Sequence, residues 1–298
     1  MADQLARENQ IARDAPPSSG SNREKFILWL KWSIYVLLTL NFFYYLYEDM
    51  MSARFTLTSS SGILKWMENY VASFEAISWI VLILVYELET YWLDDDFSNK
   101  LVEGAMLTVK IVFAILILQT SFSYTSIVIS LPQIIPLADV KTLCDLAGQD
   151  YSFLRDLRYT PVTVETCGEI PYEGTLYAVP REPVVMDTAG RMDFILLSIA
   201  DIFENYSWLV ILAMTELAVR LQNKGVFEGP ALLWSNRIKY SAYLVIFVVF
   251  SYWLKEGYYV YAWDEFVWVA GFGVLDYNLR AWRAELRAES SSAQIDSA

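Results

Sequence analysis

Histidine is missing from all 298 residues. That excludes histidine-ligated haem, most zinc sites and imidazole acid–base catalysis. Cysteine occurs only twice and never as Cys-x-x-Cys, so the usual dithiol redox motif is excluded too. No glycine-rich phosphate loop, Walker A sequence or nucleophile elbow occurs, which disfavours an enzyme. Charged residues are sparse, at 19%, and basic ones are outnumbered, giving a net charge of −13. This balance argues against nucleic acid, and no polybasic run suggests recruitment by anionic lipid. No helix-length segment carries Arg or Lys at three-residue intervals, so a voltage sensor of the familiar type is excluded.

What is present is apolar. Hydrophobic residues make up 55% and aromatics 16%, and the mean hydropathy is +0.31. Runs of about 18 to 25 apolar residues recur, long enough to cross a hydrocarbon core of ~30 Å at ~1.5 Å per residue. Six spans are expected: residues 26–46, 70–93 with a helical lead-in from Gly62, 105–131, 194–220, 238–254 and 258–276. The sixth is interrupted by Asp264 and Glu265. The first is too long and too far from the start for a cleaved signal, and reads as a signal anchor. The expected fold class is an all-α polytopic membrane protein, set in a plasma or bacterial inner membrane. Its expected partner is the lipid bilayer, with no cofactor and no metal.

Two stretches repeat. Phe74-Glu75-Ala-Ile-Ser78-Trp79-Ile-Val81 runs on to Glu87-Leu88, and Phe203-Glu204-Asn-Tyr-Ser207-Trp208-Leu-Val210 runs on to Glu216-Leu217. Seven of these fifteen positions are identical without a gap, at an offset of 129 residues. The same offset carries Lys110 onto Lys239. Two helical hairpins, within residues 62–131 and 191–256, therefore form a repeat. An even number of spans separates the copies, so they run parallel, related by a pseudo-two-fold along the membrane normal.

Lys and Arg in the loops set the orientation. A cytoplasmic N-terminus places Arg7, Arg13, Arg23, Lys25, Lys100, Arg220, Lys224, Arg237, Arg280, Arg283 and Arg287 inside. Only Arg54, Lys65 and Lys255 then remain in the short outer loops, and both termini are cytoplasmic. Residues 1–22 and 285–298 read as disordered tails. Residues 132–191 form an extracytoplasmic cap holding both cysteines, Cys144 and Cys167, and a disulfide between them is expected. Closing a loop of about 24 residues contributes roughly 3 kcal/mol. The β-branched, proline-bounded stretches at 161–165, 175–180 and 183–187 predict short strands in this cap.

Ionisable groups in apolar spans are costly and by default mark function. Glu87 with Lys110, and Glu216 with Lys239, fall at similar depths of their hairpins and are expected as ion pairs, fixing register or acting as gates. Glu75 and Glu204 lie about 18 Å deeper along their helices. Asp201 shares a face with Glu204, and Ser78 and Ser207 add hydroxyls three residues on. Two readings stay open. The carboxylates line a path for protons or small cations, in a channel or transporter, or they stay protonated and hydrogen-bond across the repeat as helix glue. The second reading makes the protein a non-catalytic scaffold or sensor whose cap, or a second copy of the chain, supplies the partner contact. Gly271 and Gly273 predict close packing or a break in the sixth span, and the abundant Tyr and Trp, Tyr44 and Tyr45 among them, are expected as interfacial belts.

Overall fold

The computed structural model describes residues 20–88, 100–180, 182–224, 226 and 228–273. It is mostly helical, with one small sheet and one disulfide. Three helical stretches are long and apolar enough to cross a membrane: Gly104–Gln133, Thr188–Ala218 and Pro230–Glu256. A fourth is the pair Ile63–Asn69 and Val71–Val85 if its members count as one span, though they are bent by 76°. Six spans were expected. Helix α1, Gly20–Thr56, contains the first expected span but is not among those that qualify. The sixth falls on residues 259–273, helical as far as they are described. The expected tails lie outside the described residues, apart from 20–22, which begin α1.

The chain divides into two compact units, one ending at Leu38 and resuming at Glu265, the other Thr39–Asp264. In the first, Ile34, Leu38 and Val267 are buried. A Cβ added to Gly271 would meet Ile34 Cγ2 at 3.4 Å, an ordinary contact, so the helices approach here without requiring glycine.

In the second unit, α2 (Ile63–Asn69) and α3 (Val71–Glu87) pack with α4 (Lys100–Ser130), α4 packs on α5 (Thr188–Asn223), and α5 on α6 (Pro230–Glu256). The sharp bend between α2 and α3 occurs without glycine or proline. Its cause is a set of polar side chains. Tyr70 leaves the helical region, at φ −103° and ψ 25°, and the freed amide of Ser73 donates to Asp49 on α1 at 3.0 Å. Ser73 Oγ donates to the same carboxylate oxygen at 2.6 Å. Asn69, at the end of α2, donates to the Asp49 carbonyl at 3.0 Å and accepts from Thr56. A carboxylate from another helix thus satisfies an orphan donor of the first turn and sits at the positive end of the α3 dipole.

Helix α5 starts at Thr188, ahead of residue 194, because Asp187 caps it: its Oδ1 accepts from the Gly190 amide at 2.8 Å. Helix α6 begins with Gly229 at φ 130° before Pro230, a residue whose missing N–H costs nothing at a first turn. It ends at Gly257, φ 87°, with the Tyr258 amide donating to the Trp253 carbonyl at 2.8 Å.

The cap joins α4 to α5. Its sheet has the order β1–β4–β5–β2–β3, with β1 Ile135–Pro136, β2 Ser152–Arg155, β3 Arg158–Pro161, β4 Tyr177–Ala178 and β5 Val184–Met186. Only β2 and β5 pair in parallel. The expected strands at 175–180 and 183–187 correspond to β4 and β5. The one at 161–165 does not form, since β3 ends at Pro161 and residues 164–167 turn. Leu143, Leu146, Phe153, Val162, Leu176 and Val185 make the cap core, and Cys167 enters it bonded to Cys144 with Cα atoms 4.9 Å apart. The turn carrying Cys144 is closed by a capping box between Thr142 and Asp145. The amides of Thr142 and Lys141 hold the exposed Asp145 carboxyl below the usual carboxylate range.

Candidate functional site

The centre of the second unit is a carboxylate with neutral partners. Glu75, on α3, accepts the Asn205 amide on one oxygen at 2.6 Å and the Tyr124 hydroxyl on the other at 2.9 Å. The Trp79 indole, one turn on, also donates to it. Three helices meet there, because Tyr124 belongs to α4 and Asn205 to α5. A second link between the latter two joins Thr125 Oγ1 and the Tyr206 hydroxyl at 3.0 Å. Asn205 is 1% exposed, and its Oδ1 meets no donor among the described residues. Buried side-chain carbonyls without a donor are uncommon and call for an account.

Other acids surround this centre. Asp201 is near enough for its charge to act on Glu75, and Glu204 and Asp201 both act on Tyr124. Glu204 itself is half-buried. Glu75 thus binds Asn205, the residue next to Glu204. Ser78 and Ser207 do not reach these carboxylates. Each donates back to the carbonyl four residues earlier, Ser78 to Phe74 at 2.5 Å and Ser207 to Phe203 at 2.6 Å. A bond of this kind uses the hydroxyl proton, leaves the oxygen able to accept, and commonly bends a helix. Trp79 and Trp208 are both buried.

A second polar cluster lies on α1 and the residues after α6. Asp264 accepts from Asn41 Nδ2 at 2.5 Å and from the Tyr45 hydroxyl at 3.0 Å. Glu48 accepts from Tyr44 at 2.6 Å and from Tyr261 at 3.0 Å. The Tyr45 and Tyr261 rings stack with centroids 5.8 Å apart. These tyrosines do more than belt duty, since each holds a carboxylate.

Of the expected ion pairs, the Glu87 side chain lies outside the described residues. Lys110 is half-buried. Glu216 is exposed and forms an ion pair with Arg220 at 2.7 Å, while Lys239 is buried, 4% exposed. Among the described residues no group of three or more Asp, Glu or Cys converges as a metal site.

Sequence reasoning passed over Tyr124, Asn205, Asn41 and Glu48. One signal for Asn205 was available, since it directly follows the repeated Phe-Glu pair. The tyrosines carried none, because composition does not separate an interfacial ring from one that holds a buried acid. Comparison with protein-family models, with curated proteins and with solved structures gives no match to this chain.

Proposed function

We propose that this is an ion-conducting or ion-coupled membrane protein whose pathway passes Glu75, with protons favoured over other small cations. The observation that carries the reading is the Glu75 site. Its carboxylate has three neutral donors and acidic neighbours, and beside it stands a buried amide oxygen that accepts from nothing described. The Glu75 carboxyl takes up and releases the proton, and its neutral donors fix its position. The Asn205 oxygen is an acceptor for a hydroxyl or hydronium donor. Acids that do not converge as metal ligands favour a proton over a divalent ion.

In this reading Asp201, Glu204 and Asp264 are further relay positions. Glu87 and Lys110 form a pair on the cytoplasmic side, where Glu216 pairs with Arg220. The chain has six spans with both termini in the cytoplasm, two parallel hairpins related by the repeat, and the cap outside the cell membrane. Support comes from the loop charges, the qualifying apolar helices and the disulfide in the cap.

The Asn205–Glu75 bond also favours a second reading, in which the carboxylates only hold helices together and the cap binds a protein partner or a second copy. Proton uptake by liposomes separates the two, measured for the wild-type chain and the Glu75→Gln/Glu204→Gln double variant. Flux that the double variant loses supports the pathway. Equal flux in both, or none in either, supports the scaffold.

A further inference from the structure

The cap has a cavity of about 360 Å³ that the membrane site does not use, lined by Phe153, Arg155, Arg158, Thr160, Glu169 and Ile170 among others. Its two arginines face each other across the β2–β3 pair, where register sets Arg155 opposite Arg158. Like charges in that position repel. The turn joining them, Asp156-Leu157, has φ values of 50° and 60°. Such hairpin turns favour Asn-Gly or Asp-Gly, and a leucine there is strained. Strain of this kind is held where surrounding structure demands it, often beside binding sites.

The two arginines differ in their partners. Arg155 Nη1 donates at 3.0 Å to Asp187, whose buried carboxylate also accepts from the Glu173 and Gly190 amides. That guanidinium is thereby committed to the join between cap and α5. The Arg158 side chain makes no hydrogen bond or ion pair among the described residues. The Glu169 side chain, from the turn after β3, makes none either among them. Opposite charges thus line one cavity without neutralising each other.

We propose that this cavity binds a small zwitterion, an α-amino acid with an apolar side chain. Its carboxylate meets the Arg158 guanidinium, its ammonium meets Glu169, and its side chain lies against Ile170 and Pro171. Bare anions are disfavoured by Glu169 and Asp156, and bare cations by the two arginines, so a dipolar ligand suits the lining best. The volume is at the small end for ligand sites, as a single amino acid requires.

The test is calorimetric titration of the full chain in detergent with each of the common L-amino acids, then with N-acetyl and amide derivatives of those that bind. At least one apolar amino acid should bind saturably. Blocking either charged group of the ligand should weaken binding about tenfold or more, as loss of one charge-assisted bond implies. Arg158→Gln and Glu169→Gln should each do the same while leaving the thermal midpoint unchanged, since both side chains are exposed and unbonded. No binding by any amino acid at about 10 mM, where even millimolar affinity would register, overturns the proposal. So does binding that survives both substitutions or both blocking groups.

Discussion

Asn205 donates to the Glu75 carboxylate at 2.6 Å across 130 positions of sequence, joining the first described hairpin to the helix that opens the second. Interhelical bonds of this type in membrane proteins average about 0.6 kcal/mol and reach about 1.7. The Asn205 bond is partly buried and charge-capable, so coupling in the upper half of that range is expected. A double-mutant cycle of Glu75→Leu and Asn205→Leu, read by thermal unfolding in detergent, measures it. Strictly additive losses would mean that the two residues do not meet.

The α2–α3 bend depends on Asp49. Asp49→Ala removes the acceptor of both Ser73 bonds, and should destabilise the protein by about 1 kcal/mol, with an upper bound near 2. Asp49→Asn keeps an acceptor oxygen and should lose less than half of that. Equal losses for the two variants would place the origin of the bend elsewhere.

The cap should depend on its disulfide. Replacing Cys144 and Cys167 together by serine should cost roughly 2–5 kcal/mol, seen as protease cleavage of the cap at temperatures where the wild type resists. The proposed orientation adds a second readout. After mild reduction, a membrane-impermeant thiol reagent applied outside should label both cysteines. Labelling only from the inside reverses the topology.

Asp145 gives the cap a sign-defined pH response. Its folded-state value is depressed by the Thr142 and Lys141 amides. The stability it contributes is therefore present above its unfolded value, near 3.9, and is lost as pH falls through the lower folded value. Amide exchange at Lys141 and Thr142 should speed up over that acid window in the wild type. Asp145→Asn should exchange faster at neutral pH and show no such step.

How much was legible in the sequence follows from the kind of signal each feature leaves. Long apolar runs predict helices because every backbone group in a bilayer must be satisfied within the segment, and α4, α5 and α6 carry that signature. Cysteines confined to one segment predict their own pairing. The bend after Asn69 left no sign, since its cause is Asp49, distant in sequence. Hairpin β2–β3 was missed because Asp156-Leu157 lacks the glycine that announces such turns. At the candidate site Glu75 stood out as a charge in an apolar run. Its partners Tyr124 and Asn205 did not, because a tyrosine and an asparagine in such helices acquire meaning only from what they touch.

The most direct test of the Glu75 pathway is proton flux into liposomes held at a potassium–valinomycin potential and followed with a trapped pH dye. Wild-type protein should acidify the lumen faster than protein-free liposomes. Glu75→Gln, which keeps size and hydrogen-bonding capacity but cannot carry a proton, should lower the rate by an order of magnitude or more; a tenfold loss corresponds to about 1.4 kcal/mol on the limiting barrier. Tyr124→Phe should lower it by less, since it removes one donor and leaves the carboxyl. A Glu75→Gln protein that folds to wild-type stability and conducts at the wild-type rate would contradict the account.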